Sequence, residues 1–187
     1  MNLILRLLAT AVCVTASTAA SASGSNILGA YMPLVGSQWQ LSLTVANGGS
    51  PAQIPGFSVY FDHTLFTNLA APAAPAGWDP LLFQPLPSIS SDGVFDAYVL
   101  GPADALLPGQ SIGGFSLQFD YLGAGAPGTL PFEFYELDAN GGFVPLGSGS
   151  VAVQVVPELG TFWLATFGLS ALTLLRRGRV AAEAEVA

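Results

Sequence analysis

The single histidine of the chain, His63, directly follows Asp62. Histidine and aspartate are two of the three residue types of a hydrolase triad. A triad also needs a serine aimed at the histidine, and the sequence contains no G-x-S-x-G nucleophile elbow. Neighbouring residues of a strand point to opposite faces, so Asp62 would not orient His63 if the strand continues. We therefore interpret His63 as a surface or strand-end histidine.

Two glutamates, Glu133 and Glu136, are the next candidates, because glycosidases act with a pair of carboxyl groups on either side of the scissile bond. Residues three apart on a regular strand lie on opposite faces, so this pair cannot flank one bond without a bulge. We interpret both as solvent-facing acids of a strand.

An oxygen-rich stretch near the end of the body resembles a fragment of a calcium loop. Asp138 and Asn140, with Glu136 nearby, supply oxygen ligands, but no closing glutamate follows Asn140. The Asn140-Gly141 pair is also a strong hairpin signal. A hairpin turn therefore explains these residues with fewer assumptions.

A second calcium candidate of the same kind contains Asp92 and Asp96, in the stretch "SSDGVFDAY". Asp92 precedes a glycine, and this dipeptide is first of all a turn signal. We expect no cofactor, and we keep calcium as an alternative at Asp92, Asp96, Asp138 and Asn140.

Exposed aromatic side chains are candidates for sugar binding, because a flat ring can stack on a sugar ring. Trp78 lies in an Ala- and Pro-rich stretch, and Tyr60 and Tyr98 qualify if they face outward. Trp39 begins an inward pattern and is assigned to the core. For Trp78 we favour a loop residue anchored against the edge of the domain over a sugar-binding residue, since tryptophan is highly buried on average.

The body of the chain has the period-2 alternation of half-buried antiparallel strands. Alternating apolar residues predict strands at 39–45, 57–61, 115–121 and 151–155, and weaker patterns predict strands at 81–84, 94–100, 130–138 and 143–146. Gly and Pro separate these runs, and Asn140-Gly141 predicts a hairpin. Residues 68–80 are predicted to form a long surface loop. The fold class is all-β: an Ig-like antiparallel β-sandwich over residues 23–155, nearly free of helix.

The N-terminal segment has the layout of a secretory signal peptide. Arg6 precedes an apolar stretch, and Ala20-Ser21-Ala22 fits an A-x-A cleavage site, so residues 1–22 are predicted to be removed. The only cysteine, Cys13, lies inside this segment, and bulky Val12 before it disfavours a lipoprotein signal. The mature protein would then have no disulfide.

The distribution of charge is one-sided. Charged residues make up only 9% of the chain, and there is no lysine. All four arginines lie in the terminal segments, whereas nine acidic residues lie between Ser23 and Val156. Such a body repels nucleic acid, because phosphate binding needs Lys and Arg. It also contains no Lys or Arg for a salt bridge.

The C-terminal segment looks like a short membrane span. Residues 159–175 carry no charge and would measure roughly 25 Å as a helix, slightly less than a hydrocarbon core. Pro157 suits a helix start, and the arginines after the run should stay in the cytoplasm. With the signal peptide, this predicts the body outside and residues 180–187 as a short cytoplasmic tail. A plain single-span anchor has the same features.

The pattern over residues 156–179 is more specific than a plain membrane anchor requires. A Val-Pro-Glu stretch, an apolar run and an arginine cluster together resemble the PEP-CTERM sorting signal. The resemblance implies recognition by an exosortase-type membrane protease, transient residence in the inner membrane and removal of the tail near the Pro-Glu stretch. The motif residues are Val156, Pro157, Glu158, Leu159, Gly160, Arg176, Arg177 and Arg179.

Two departures from that family's pattern bear on processing rather than on membership. Leu159 stands where the second proline is usual, and "VAAEAEVA" continues beyond the arginines. Members of the family are exported by bacteria that make exopolysaccharide, so the resemblance implies a destination at the cell surface or in the extracellular matrix.

Three classes of function fit these observations. The first, which we favour, is an exported, non-enzymatic structural or adhesive protein of the cell envelope, associated with exopolysaccharide. The second is a carbohydrate-binding module, which would show coplanar aromatic rings near Trp78. The third, a secreted hydrolase, would need two acids, or a serine and His63, converging in a cleft. A plain membrane-anchored protein remains the alternative for the tail.

Overall fold

The computed structural model describes residues 24–156, and the signal-peptide segment and residues 157–187 lie outside this range. The described part forms ten strands and two short 3-10 turns, Pro87–Ile89 and Pro102–Asp104. No helix within it is long and apolar enough to cross a membrane. The strands are β1 (Asn26–Pro33), β2 (Gln38–Ala46), β3 (Gly56–Phe61), β4 (Phe66–Ala73), β5 (Trp78–Phe83), β6 (Gly93–Val99), β7 (Ser111–Tyr121), β8 (Pro131–Leu137), β9 (Phe143–Ser150) and β10 (Ala152–Val155).

The strands form two five-stranded sheets that enclose one core. The first sheet has the order β10-β1-β2-β7-β4, and the second has the order β5-β6-β3-β8-β9. Phe57 of β3 meets Phe115 of β7 edge to face, with ring centroids 4.9 Å apart, and Phe61 of β3 packs at a tilt on Phe119 of β7, with ring centroids 5.8 Å apart. The predicted all-β sandwich is confirmed.

Alternation along the sequence explains the central strands. In β2, Leu41, Leu43 and Val45 are buried while the residues between them face outward, and β7 buries Phe115, Leu117 and Phe119 in the same way. Each such side chain contributes roughly 1.5–3 kcal/mol when it is fully buried.

The prediction of a wholly antiparallel arrangement is wrong at one edge. β10 pairs with β1 in parallel, with Leu28 opposite Ala152 and Tyr31 opposite Val155. After β9 in the second sheet, the chain crosses back to the first sheet, where β10 lies beside β1 and runs in the same direction. The sequence analysis also assigned no strand to residues 26–33, which form β1.

The predicted surface loop at 68–80 is also wrong, because these residues contribute to two edge strands, β4 and β5. Pro72 and Pro80 are tolerated there since an edge strand has one side without a ladder hydrogen bond. Asn68 and Ala71 have φ values of 53° and 48°, and the pairing of β4 with β7 shifts register twice. These irregularities remove the alternation that identifies a strand in the sequence.

Strand directions give the sandwich two distinct ends. The exit end is where β10 finishes at Val155, together with the start of β4 and the ends of β3 and β7. The far end contains the start of β3 and the ends of β6 and β8. The seven residues of β6 separate the two ends by about 20 Å.

Candidate functional site

A cleft of about 310 Å³ opens at the exit end of the sandwich. The turn after β3 brings Asp62 to its rim, and the residue before β6 brings Asp92. Tyr60 and Tyr121 contribute aromatic walls. This cleft therefore combines two carboxylates with two phenol rings.

His63 lies beside this cleft and is paired with Asp92 rather than with its neighbour Asp62. Its Nδ1 is 2.8 Å from Asp92 Oδ1, and its backbone N–H donates to the same oxygen over 3.0 Å. The sequence analysis missed this pairing because 29 residues separate the two. Among residues 24–156, no serine or threonine hydroxyl is hydrogen-bonded to His63.

Asp62 closes its own turn. The hydroxyl and backbone N–H of Thr64 donate to Asp62 Oδ1 over 2.6 and 2.7 Å. These hydrogen bonds lower the pKa of the Asp62 carboxyl, since they favour its charged form. β3 ends at Phe61, so the argument from opposite strand faces does not apply to Asp62 and His63, and His63 is bonded to Asp92 instead.

The ligand atoms of Asp62, His63 and Asp92 lie within 4.8 Å of one another, which is a spacing that a metal ion could bridge. However, one oxygen of each carboxylate already accepts hydrogen bonds from the turn. Asp96 does not join this group. It lies four residues beyond Asp92, roughly 13 Å along the strand, so the predicted pairing of Asp92 with Asp96 at one calcium ion is wrong.

The calcium candidate at Asp138 and Asn140 forms the predicted hairpin. Asp138 Oδ1 accepts the N–H groups of Asn140 and Gly142 over 2.8 and 2.7 Å, and Gly141 has a φ of 79°, which favours glycine. The turn connects β8 to β9, as the Asn140-Gly141 pair predicts. Asp138 therefore satisfies the backbone of the turn, and calcium at this hairpin stays a prediction.

The outer face of the second sheet holds a half-buried carboxylate, Asp96. The hydroxyls of Ser58 and Tyr135 donate to its two oxygens over 2.7 and 2.9 Å. Burial raises the pKa of Asp96, and these two hydrogen bonds only partly oppose that effect. Asp96 of β6 thus connects the neighbouring strand β3, through Ser58, with the next strand β8, through Tyr135.

Glu133 and Glu136 lie apart, although the regular strand that the prediction assumed is interrupted between them by a register shift at Phe134 and Tyr135. Glu133 accepts a hydrogen bond from Tyr60 over 3.2 Å on the outer face of the second sheet. Glu136 instead lines a cleft at the far end of the sandwich. The two carboxylates do not share a site.

Trp78 is not exposed, so the hypothesis that it offers a platform for sugar stacking is wrong, and the favoured interpretation, that it packs against the domain, is confirmed. Only 4% of the residue is accessible, and its ring packs against Phe57 and Phe115 with centroids 6.0 and 5.2 Å away. The strand β5 begins at Trp78 and turns it into the core. Trp39 is partly buried against the core, and Tyr60 and Tyr98 are half-exposed.

The far end contains a stack of aromatic rings, and it includes Tyr98, one of the sugar-binding candidates of the sequence. Tyr98 stacks on Tyr135 at 5.6 Å and 27°, and Tyr135 stacks on Phe143 at 4.4 Å and 24°. Beside Tyr98 is a cleft of about 250 Å³ with Gln53 and Glu136 in its wall. The weak strand patterns of β6 and β8 concealed this arrangement, because the stack forms across strands.

Of the sorting-motif residues, only Val156 lies within the described part of the chain. Its N–H donates to the carbonyl oxygen of Tyr31 over 2.9 Å, which extends the pairing of β10 with β1 by one residue. The remaining motif residues and the signal peptide lie outside the described residues.

No family model matches the sequence, and a comparison with curated proteins gives no match. Solved structures give matches that are cohesins. A cohesin module from a family 33 glycoside hydrolase of Clostridium perfringens is 9% identical, with a TM-score of 0.39 over 72% of this chain and 100% of that chain.

The sixth cohesin of scaffoldin B from Acetivibrio cellulolyticus, solved in complex with a dockerin, is 12% identical, with a TM-score of 0.39 over 70% of this chain and 99% of that chain. A type I cohesin–dockerin complex from Clostridium thermocellum is 14% identical, with a TM-score of 0.36 over 70% and 99%.

Proposed function

We propose that this chain is an exported structural or adhesive protein of the cell envelope, associated with exopolysaccharide and without enzymatic activity. Its C-terminal segment would be a PEP-CTERM sorting signal that an exosortase-type protease cuts at the inner membrane. The observation that supports this most directly is the position of β10, the last strand of the described residues.

The last strand ends at Val155, and Val156 still donates a hydrogen bond to Tyr31. The proposed signal continues with Pro157, the next residue. A cut beyond Val156 would therefore leave all ten strands and their core intact. Pro157 also restricts Val156 to extended backbone, which agrees with its place beside β1. The cut is expected between residues 156 and 160.

The distribution of charge supports the same orientation. The body between Ser23 and Val156 has nine acidic residues and no Lys or Arg, whereas three arginines follow the apolar run. Basic residues beside a span favour the cytoplasmic side. The arginine cluster would hold the tail inside while the acidic sandwich remains outside.

The test is the intact mass of the protein from its native host and from the same host without exosortase. Sorting predicts a product that ends between residues 156 and 160 in the first host only. Pro157→Ala should trap the uncut chain in the inner membrane. Pro87→Ala is the matched control, because Pro87 is an exposed proline in a 3-10 turn of the body.

A different result would identify the tail as a plain membrane anchor. In that case every molecule from the native host would retain "LLRRGRVAAEAEVA", and Pro157→Ala would leave the location of the protein unchanged. Either finding would overturn the sorting proposal.

A further inference from the structure

The cleft at the far end has the size of a site for one sugar unit. Its volume is about 250 Å³, below the 300–1,000 Å³ of pockets for drug-sized ligands. Tyr98, Leu100 and Leu137 supply apolar surface, and Gln53 and Glu136 supply polar groups. An aromatic ring beside an amide and a carboxylate complements a sugar, which has apolar C–H groups on its ring faces and polar hydroxyl groups around its edge.

Tyr98 is held in place from behind. Tyr135 covers one face of its ring, and the Tyr135 hydroxyl is fixed by Asp96. Both rings close over Gly56 of β3, where an added Cβ would come within 2.5 Å of Tyr98 Cδ2 and 2.9 Å of Tyr135 Cζ. The part of Tyr98 that lines the cleft is therefore its uncovered face and edge, already positioned for a ligand.

The polar groups of the cleft are available to a ligand. No described residue is hydrogen-bonded to the side chain of Gln53 or Glu136, whereas Glu133 on the same strand is bonded to Tyr60. The backbone below the cleft is tied down, because Val99 N–H donates to Pro55 O over 2.9 Å. The cleft thus combines a fixed frame with free hydrogen-bonding groups.

Charge selects among sugars. The nine acids of the body and its lack of Lys and Arg repel uronic acids, and Glu136 places one carboxylate in the cleft itself. A protonated amine complements that carboxylate and is attracted to the face of a tyrosine ring. The far end also points away from the exit of the tail, so it would face the extracellular matrix when the chain is anchored.

We propose that the far-end cleft, formed by Tyr98, Gln53 and Glu136, binds one hexosamine unit with a free amino group in an extracellular polysaccharide. The Tyr98 ring packs on the sugar ring, the Gln53 amide bonds its hydroxyls, and Glu136 pairs with the ammonium group. The outward orientation of the cleft rests on the proposed function, whereas its chemistry does not.

The experiment measures binding of three probes to the full chain in detergent micelles by saturation-transfer NMR, at about pH 6. The probes are the methyl glycosides of glucosamine, glucose and glucuronic acid. We expect the glucosaminide to bind about tenfold more tightly than the glucoside, as one charge-assisted hydrogen bond allows, and the glucuronide to show no binding. Cleavage of the tail does not enter this measurement, so it succeeds or fails independently of sorting.

Two variants locate the site. Glu136→Gln should lower glucosaminide affinity to that of the glucoside, while Gln53→Ala should weaken both by a similar factor. Glu133→Gln is the matched control, with the same change of charge three residues away on β8. Equal binding of glucosaminide and glucoside, no binding of either, or an equal loss in Glu133→Gln would overturn the proposal.

Discussion

The two ends of the sandwich use polar side chains in opposite ways. At the exit end, Asp62 bonds Thr64 and Asp92 bonds His63, so the carboxylates complete the turns that carry them. At the far end, no hydrogen bond joins Gln53 or Glu136 to another described residue, and Tyr98 is supported from behind. The acids and the histidine at the exit end are therefore weaker evidence for a ligand site than the polar side chains at the far end, which have no hydrogen-bond partner among the described residues and lie beside a fixed tyrosine ring.

The largest expected effect concerns the support beneath the far end. Trp78→Ala removes a ring packed against Phe57 and Phe115, and we expect unfolding to become easier by about 3–5 kcal/mol. The free energy of unfolding would be measured by guanidinium denaturation followed by circular dichroism.

Phe83→Ala is the matched control for this variant, because Phe83 is an aromatic residue of the same strand that is 57% exposed. It should cost about 1 kcal/mol or less. Equal losses in the two variants would show that Trp78 is not the core residue that the comparison of the two ends assumes.

A smaller loss is expected at Gly56, where the tyrosine stack crosses β3. In Gly56→Ala, the new methyl group would meet both rings at less than 3.0 Å, so the stack must shift, at a cost of about 1–3 kcal/mol. Denaturation would measure that cost, and the glucosaminide affinity should fall with it.

Gly128→Ala provides the comparison at the exit end, since nothing lies within 4 Å of the added carbon and the backbone is not left-handed. Its stability should stay within about 0.5 kcal/mol of the parent. Full glucosaminide binding in Gly56→Ala would show that the cleft does not depend on the position of the Tyr98–Tyr135 stack, which contradicts the contrast between the two ends.

The sequence predicts features that depend on neighbouring residues. β2 and β7 follow from alternation, and the hairpin at Asn140-Gly141 follows from turn chemistry. It does not predict β4, because left-handed residues and register shifts break the alternation.

Both clefts depend on pairings across strands, which periodicity does not encode. His63 meets Asp92 over 29 residues, and Tyr98 meets Tyr135 over Gly56. Packing of Trp78 against the domain was expected, but the strand that buries it was not, since its Ala- and Pro-rich surroundings are typical of a loop.

Asp96 connects the far-end stack to the rest of the sheet and should make stability depend on pH. Its pKa is raised in the folded state, so the folded state binds the proton more tightly. The contribution of protonated Asp96 to the free energy of unfolding is fully present when the pH is below the ordinary carboxylate pKa. It is lost as the pH rises through the raised pKa of the folded state. Asp96→Asn should remove this component.

The measurement is the difference in unfolding free energy between the parent and Asp96→Asn across the acidic to neutral range. Subtraction cancels the other acids, which are the same in both proteins. The parent should lose stability relative to the variant as the pH rises, and a flat difference would mean that Asp96 is not effectively buried.

The smallest expected effect is at the exit end, where His63→Ala removes the pairing with Asp92. The His63 side chain is 22% exposed and that of Asp92 is 47% exposed, so water screens the pair. Pairs of this kind contribute about 0–1 kcal/mol, and denaturation of His63→Ala should show a loss within that range. Asp92→Asn removes the charge of Asp92 but keeps an oxygen that can accept both the backbone and the ring N–H of His63, which meet the same Asp92 oxygen. If both variants lose more than about 2 kcal/mol, the exit end is held by this pair rather than by its turns, and the contrast with the far end disappears.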